Sequence, residues 1–200
     1  TPQGQPVTDT NTNTNTNTNT GTNTGTSLSS TVMDSPMGLL TLVASCAGLR
    51  AVLWPRDDPA RVPLGEVAQT TETTDHPVLV AAVDQLSEYF AGDRQTFDLL
   101  LDPIGTDFQQ SAWMALRAIP YGTTVSYGEQ AAAMGDKRKA RAVGAANGRN
   151  PISIIVPCHR VVGANGSLTG FAGGLESKQW LLDHESKTAQ PSEIETFSTQ

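Results

Sequence analysis

Residues 150–162 read Asn150-Pro151-Ile152-Ser153-Ile154-Ile155-Val156-Pro157-Cys158-His159-Arg160-Val161-Val162. The apolar run predicts a buried strand that delivers the thiol of Cys158 at its end, with the imidazole of His159 next in the chain. Cysteine reacts as its thiolate, so a base that takes the proton makes it an effective nucleophile near neutral pH. Neighbouring side chains on a strand point to opposite faces, so His159 reaches the sulfur only if its ring folds back, through a water molecule.

A Cys-His pair alone is more often a buried structural cysteine beside a surface histidine. The surrounding sequence argues otherwise, because residues 150–162 resemble the active-site signature of the O6-alkylguanine-DNA alkyltransferases. These proteins are methylated-DNA–protein-cysteine S-methyltransferases that act once and are consumed. The resemblance runs from about residue 32 to residue 185 and includes three further stretches: Tyr121-Gly122-Thr123-Thr124-Val125-Ser126-Tyr127-Gly128-Glu129, Thr169-Gly170-Phe171-Ala172-Gly173-Gly174 and Trp180-Leu181-Leu182-Asp183-His184-Glu185.

The resemblance implies an α/β (α+β) protein with a small ribonuclease H-like amino-terminal domain and a winged helix-turn-helix-like carboxy-terminal domain that carries the reactive cysteine. We place the structural domain at residues 32–102 and the DNA-binding and alkyl-transfer domain at 103–186. Residues 1–31 are rich in alternating Asn and Thr, and residues 187–200 are polar. Neither segment has enough apolar surface to offset its ordering entropy, so both are predicted to be disordered tails.

The chain has a net charge of −7, which alone argues against a nucleic-acid partner. The charges are unevenly distributed, however. Residues 32–102 hold four arginines against eleven acidic residues, whereas residues 103–185 hold eight basic residues against six acidic ones. A local basic cluster favours phosphate contact, and it comprises Lys137, Arg138, Lys139, Arg141, Arg149 and Arg160.

Local patterns predict the elements of the first domain. They indicate a β-hairpin at residues 39–54, a polar loop at 55–75, an amphipathic helix that ends near Gly92, and a short strand at 97–101. The sequence contains neither a signal peptide nor an apolar segment long enough to cross a bilayer, so we expect a soluble, cytoplasmic protein.

In the second domain, capping boxes at Thr106 and Ser126 predict two helices, and a third is expected from residue 137 to 147. The last two would form a helix-turn-helix, with the second helix as the DNA reader. Its small residues permit either tight helix packing or close approach to a groove floor. Residues 161–169 predict a hairpin or wing, since Asn165-Gly166 is a strong turn signal. Trp113 is expected in the core.

The resemblance also implies a role for individual residues. Glu185 completes a Cys-water-His-Glu relay, and Tyr127 turns the target nucleotide and donates a proton to N3 of the flipped base. Arg141 enters the base stack in place of that base, although a plain phosphate contact is the alternative. Asn150 braces the turn near the cysteine. DNA contacts are expected along the reader helix and the segment before it, at Lys137, Arg138, Lys139, Ala140, Arg141, Ala145 and Arg149.

The substrate pocket is expected to comprise Val161, Phe171, Ala172, Gly173 and Asn150. Phe171 stands where relatives often carry tyrosine, so stacking would persist while a hydroxyl contact is lost. The turn from Gly163 to Gly166 and the Gly173-Gly174 pair suggest room for alkyl groups larger than methyl. No cofactor is expected, because the damaged base is itself the alkyl donor. Two cysteines without metal-ligand spacing predict no metal site.

The expected partner is double-stranded DNA that contains O6-alkylguanine, and also O4-alkylthymine, bound through the minor groove by a monomer, with cooperative binding of several molecules as the alternative. The sequence leaves three other functions open. A non-catalytic recogniser of alkylated bases would lack the reactive cysteine, and a repair-coupled regulator would carry an added zinc domain. A Cys-His hydrolase would need an oxyanion hole, and no motif for one is identifiable.

Overall fold

The computed structural model describes residues 27–58, 60–62, 64 and 70–189. Most of the two predicted tails therefore lies outside the described residues. Both predicted tails are too long at the ends that the structure describes, because the first strand begins at Leu28 and the last helix continues to Thr188. Leu28 is buried, so apolar side-chain packing extends the ordered domain toward the amino terminus.

The first domain is a four-stranded sheet with a helix on one face. Its strands are β1 (Leu28–Met33), β2 (Leu40–Ser45), β3 (Gly48–Leu53) and β4 (Thr70–Glu72), in the order β3-β2-β1-β4. β4 is parallel to β1 and the other pairs are antiparallel, so the predicted hairpin is confirmed. Helix α1 (Pro77–Ala91) ends at Gly92, which has a φ of 89°. The predicted loop at 55–75 contains β4.

The predicted strand at residues 97–101 is wrong. Only Leu101 forms a bridge, with Leu49, and the rest of the segment is irregular. The side chain of Gln85 on α1 explains why: its oxygen accepts from the amide N–H of Asp98 at 2.8 Å, and its Nε2 donates to the carbonyl of Asp98 at 2.9 Å. The main-chain N–H and carbonyl of Asp98, which a ladder would use, are thus bonded to a helix side chain.

The second domain contains four helices and a small two-stranded sheet. Its elements are α2 (Asp107–Arg117), β5 (Val125–Ser126), α3 (Tyr127–Ala133), α4 (Ala140–Gly148), β6 (Val161–Val162) and α5 (Gly174–Thr188). Both predicted capping boxes form, at Thr106 and Ser126. A hairpin after β6 does not form, because β6 pairs in parallel with β5. Two main-chain bonds close the turn, from Gly163 N–H to the carbonyl of Ser167 and from Gly166 N–H to the carbonyl of Gly163.

The helix-turn-helix of α3 and α4 is fixed by buried polar contacts. The amides of Gln130 and Asn147 form a reciprocal pair, with donor-to-acceptor distances of 3.2 and 2.7 Å. Trp113 on α2 lies in the core as predicted, and its Nε1 donates to the carbonyl of Ala146 at 2.9 Å. Since buried hydrogen bonds of this kind are directional, they set how α4 sits against α2 and α3.

The apolar run before Cys158 is buried but is not a strand. It turns at Ile154, whose φ of 76° is rare for a β-branched residue. Asn150 holds the turn, because its Oδ1 accepts from Ile152 N–H at 3.1 Å and its Nδ2 donates to the Val156 carbonyl at 2.8 Å. Cys158 accordingly begins a one-turn 3-10 helix, Cys158–Arg160, instead of ending a strand.

The two domains share one apolar core. A single cluster joins Leu42, Val52 and Leu86 of the first domain to Leu116 and Ile152 of the second. The turn before the cysteine also bonds to the sheet, since Val52 N–H donates to the carbonyl of Pro151 at 2.8 Å. The first domain therefore supports the reactive segment directly. No helix in the described ranges is both long and apolar enough to cross a membrane.

Candidate active site

Cys158 is a free thiol at the start of the 3-10 helix, with 7% of its surface exposed. Burial raises the pKa of this thiol, while the neighbouring amide of Asn150 and the positive charges of Lys178 and Arg61 oppose that rise. The raised pKa means that the thiol is largely protonated at neutral pH. A base must therefore take its proton as the sulfur reacts.

His159, the residue after this thiol, forms a buried pair with Glu185. Nε2 of His159 lies 2.8 Å from Oε1 of Glu185, and both side chains are almost completely buried. The other ring nitrogen, Nδ1, is also buried, and it has no hydrogen-bond partner among the described residues. Burial lowers the pKa of His159, although the contact with Glu185 raises it, and the net shift favours the neutral ring.

Five donors surround the carboxylate of Glu185. Oε1 accepts from the Tyr89 hydroxyl, His159 Nε2 and Arg160 Nη2, and Oε2 accepts from Arg160 Nε and Gly122 N–H, at 2.8 to 3.0 Å. Burial alone raises the pKa of Glu185, but His159 and Arg160 together lower it to about 2. The group is therefore an anion at neutral pH.

The state of His159 follows from that of Glu185. An ionised carboxylate only accepts hydrogen bonds, so Nε2 of a neutral His159 must carry the proton. Nδ1 is then a bare lone pair, which is the form that a general base requires. The site thus combines a protonated thiol, an unprotonated ring nitrogen and a fixed anion.

Arg61 connects this site to the first domain. Its Nη1 donates to the carbonyl of Asn150, and its guanidinium pairs with Asp57. Asn150 is 1% exposed, and its own side chain holds the turn that precedes Cys158. The brace that was expected from Asn150 alone is therefore a chain of contacts from the first domain through Arg61.

Lys178 is a buried residue that the sequence analysis missed. Its ammonium donates to the carbonyls of Val161 at 2.6 Å and Thr169 at 2.8 Å, and it lies 5.9 Å from the ring centre of Tyr127. Tyr127 is the first residue of α3, and its hydroxyl donates to the Thr169 carbonyl at 3.3 Å. Lys178 thus connects Val161, on one side of the expected pocket, to Thr169, which shortly precedes Phe171.

A signal for Lys178 was present in the sequence. Lys178, Leu181 and Glu185 are spaced three and four apart, which places them on one face of α5, and all three are buried. A lysine on the apolar stripe of a helix is rare unless its charge has partners. Tyr89, Arg61 and Arg160 had no comparable local signal.

The loop of Phe171, Ala172 and Gly173 packs against the first domain. Phe171 meets the ring of Trp54 edge-on at 5.3 Å, and it lies 6.4 Å from the ring of His159. A Cβ on Gly173 would come within 2.6 Å of Trp54. Gly173 is thus required by the close approach of Trp54, and its small size gives no support to extra room for an alkyl group.

The expected DNA-contacting residues differ in their surroundings. Helix α4 exposes Arg141 and Ala145, which share one face, while Ala140 is half-buried. Lys137 and Lys139 are exposed on the turn before α4, where Arg138 pairs with Asp136. Arg149 is directed to the first domain, because its Nη1 donates to the carbonyl of Ala60 at 2.5 Å. Arg160 faces Glu185 in the interior and is not part of the surface cluster.

Comparison with protein families gives two adjacent matches. Residues 28–103 match the ribonuclease-like domain of 6-O-methylguanine DNA methyltransferase, and residues 107–187 match its DNA-binding domain. The two-domain fold class is therefore confirmed. The matched ranges agree with β1 beginning at Leu28 and with α5 continuing to Thr188.

Curated relatives and solved structures agree with these matches. The methylated-DNA–protein-cysteine methyltransferase of Mycobacterium bovis is 48% identical over 167 residues, which is 82% of this chain and 96% of that protein. The constitutive enzyme of that name from Bacillus subtilis is 45% identical, over 78% of this chain and 93% of its own. The crystal structure of Mycobacterium tuberculosis O6-methylguanine methyltransferase aligns with a TM-score of 0.72 at 46% identity, covering 84% of this chain and 97% of the other. A structure of the same mycobacterial protein in complex with DNA aligns equally well, over 80% of this chain and 94% of its own. The chain belongs to the methylated-DNA–protein-cysteine methyltransferase family.

Proposed function

We propose that this protein repairs alkylated DNA by direct reversal, moving the alkyl group of an O6-alkylguanine, or of an O4-alkylthymine, onto Sγ of its own Cys158. The observation that carries the proposal is the buried pair in which Glu185 fixes His159, the residue after the protonated thiol of Cys158, with no partner for Nδ1 among the described residues. A non-catalytic recogniser is not favoured, because Cys158 is present and the relatives are named as methyltransferases. A cytoplasmic location is a further prediction.

The first step removes the thiol proton. Nδ1 of His159 takes the proton of Cys158 through one water molecule, and the imidazolium that forms is stabilised by the anionic Glu185. The proton is not passed on to Glu185, because its low pKa keeps it ionised. Since the thiolate appears only as it reacts, the resting cysteine is protected from chance alkylation.

The second step forms the new bond. The sulfur attacks the alkyl carbon, a C–S bond forms, and the C–O bond breaks with its electron pair going to the guanine. Tyr127 donates its hydroxyl proton to N3 of the departing base, which leaves neutral, and the tyrosine and His159 then exchange protons with solvent. The product is a thioether, and no described group could cleave it, so each molecule reacts once.

The target base must leave the duplex to reach a buried sulfur, at a cost of roughly a few kcal/mol. Arg141 on the exposed face of α4 enters the stack in its place, and Ala145 on the same face lets the helix approach the minor groove closely. Lys137 and Lys139 contact phosphates. The flipped base is enclosed by Val161 and by the loop of Phe171, Ala172 and Gly173, and a monomer suffices.

The test is mass spectrometry after mixing the protein with excess duplex DNA that contains one O6-methylguanine. We expect a gain of one methyl group on the peptide that contains Cys158, with repair ending at one lesion per protein molecule. A duplex with ordinary guanine is the control. Continued repair beyond one equivalent, or lesion binding without a gain in mass, would contradict the proposal.

Arg141→Ala should lower transfer from duplex DNA about 10-fold to 100-fold, because the side chain no longer stabilises the opened stack. Transfer from free O6-methylguanine nucleobase should be unchanged. Single-turnover rates with both substrates test this, with Arg138→Ala as the matched control, since Arg138 is paired with Asp136. If Arg141 were a plain phosphate contact, Arg141→Ala and Arg138→Ala would weaken DNA binding similarly. Each variant would also reduce the salt dependence of DNA binding.

Lys178→Met should destabilise the protein by about 2–4 kcal/mol, because the buried carbonyl of Val161 and the partly buried carbonyl of Thr169 lose their donor. It should also raise the pKa of Cys158, as measured from the pH dependence of its reaction with iodoacetamide, since the charge of Lys178 lowers that pKa. Chemical denaturation and the pH dependence of alkylation measure the two effects. Lys187→Met, at an exposed position of the same helix, is the control and should change neither. An unchanged alkylation profile in Lys178→Met would refute the electrostatic part.

A further inference from the structure

Tyr89 reaches from the first domain to the carboxylate of the second. It lies near the end of α1 and is fully buried. Its hydroxyl donates to Oε1 of Glu185 at 2.8 Å, across 96 positions of sequence. Its main-chain carbonyl accepts from Nε2 of His184 at 2.7 Å. Two consecutive residues of α5 are therefore held by one residue of α1.

The hydroxyl of Tyr89 and the ring of His159 hydrogen-bond to the same carboxylate oxygen of Glu185. Oε1 of Glu185 accepts from Tyr89 and from Nε2 of His159, both at 2.8 Å. Burial, followed by the nearby charge of Glu185, raises the pKa of Tyr89, so its hydroxyl keeps its proton and stays a donor at every working pH. The position and the basicity of this oxygen therefore depend on Tyr89 as well as on Arg160.

We propose that Tyr89 is a positioning residue for alkyl transfer, whose hydroxyl holds the carboxylate of Glu185 so that Oε1 faces Nε2 of His159. The inference rests on the proposed transfer to Cys158. It gives the first domain a part in the reaction, where the sequence had suggested only a structural role. Tyr89 does not touch the reacting atoms and acts through Glu185.

Loss of the hydroxyl has two consequences with a definite sign. The carboxylate is less restrained, so His159 is oriented less well and transfer slows. The carboxylate also keeps more negative charge on Oε1, which favours the imidazolium form and raises the pKa of His159. The ring is therefore protonated, and lost as a base, at a higher pH than in the native protein. The acid limb of the pH-rate profile should move upward. The other charged or titratable groups that face this pair are unchanged by the substitution, and they are Arg160, Tyr121, Lys178, His184 and Cys158.

The experiment measures single-turnover methyl transfer from duplex DNA between pH 5.5 and 9 for the native protein, Tyr89→Phe and Tyr121→Phe. Tyr121 is the matched control, because its hydroxyl contacts the hydroxyl of Thr188 at 2.5 Å and not Glu185. We expect Tyr89→Phe to slow transfer about threefold to tenfold and to move the acid limb upward by about half a pH unit to one unit. Tyr121→Phe should leave both unchanged.

Two outcomes would overturn the inference while the native protein transfers methyl normally. One is a Tyr89→Phe protein with native rate and native acid limb. The other is a slower variant whose acid limb is native and whose loss follows its fall in Tm, which is the result of a purely structural role. A native protein that fails to transfer methyl would instead overturn the proposed function, and the inference with it.

A second replacement covers the case in which Tyr89→Phe does not fold. Tyrosine at position 89 is replaced by 3-fluorotyrosine through amber suppression, which keeps the ring and makes the hydroxyl a stronger donor. The acid limb should then move to lower pH, because more of the charge on Oε1 is drawn to the tyrosine. An unchanged limb would count against the proposal.

Discussion

Cys158→Ser should abolish methyl transfer while binding to lesion-containing duplex DNA stays within about twofold of the native value. A serine hydroxyl is far less acidic than a thiol, so Nδ1 of His159 cannot generate the nucleophile. The expected contacts of α4 with DNA do not involve position 158. Mass spectrometry measures transfer, and fluorescence anisotropy measures binding.

Cys46→Ser is the matched control for this variant. Cys46 is an exposed free thiol on the turn between β2 and β3, whereas Cys158 is buried. We expect the Cys46→Ser protein to take up one methyl group, as the native protein does. Methyl on the Cys46 peptide, or any uptake by Cys158→Ser, would show that the acceptor has been assigned to the wrong residue.

Glu185→Gln should slow methyl transfer about 100-fold or more and lower the free energy of unfolding by about 3–5 kcal/mol. Glutamine has one acceptor oxygen, and its NH2 group would face donors that now point at a carboxylate. Arg160 would keep a buried charge without a counter-ion, and Nε2 of His159 would lose its fixed partner. Rates are measured by single turnover and stability by urea denaturation. Glu176→Gln, at an exposed position of α5, should leave both unchanged.

The pH dependence of stability gives a second signature of the same residue. The folded-state pKa of Glu185 is lowered to about 2, below the value of 4.5 for a free side chain. Its contribution is therefore fully present above pH 4.5 and is lost as the pH falls toward 2. The loss is about 3 kcal/mol from this group. Urea titrations of the native protein should show it, and the curve of Glu185→Gln should be flatter over that range.

The sequence predicted well those elements whose signals are local. The capping boxes at Thr106 and Ser126 and the glycine after α1 depend on contacts within a few residues, and each marks a helix boundary in the structure. The error at residues 150–156 has the opposite origin. An apolar run indicates burial but not conformation, and the turn at Ile154 is imposed by the side chain of Asn150.

The polar network around the site exceeds what one sequence can reveal. The neighbours of Glu185 include Tyr89, which is 96 positions away, and Arg160, which composition alone assigned to a surface cluster. Arg61 likewise lies within residues 55–75, for which the sequence predicts a loop. The packing of the two domains brings such partners together, and local sequence patterns do not encode it. The roles assigned to the site residues stay predictions.

The reciprocal amide pair of Gln130 and Asn147 has a consequence for how damage is found. In the proposed docking of α4 on DNA, a helix held in place by this amide pair would lose little conformational entropy. Any change of shape needed for docking would then occur in the DNA. A damaged base pair opens more readily than an intact one. A stiff helix would thus sort lesions from normal bases by the weakness of the pair itself, before any atom of the alkyl group is recognised.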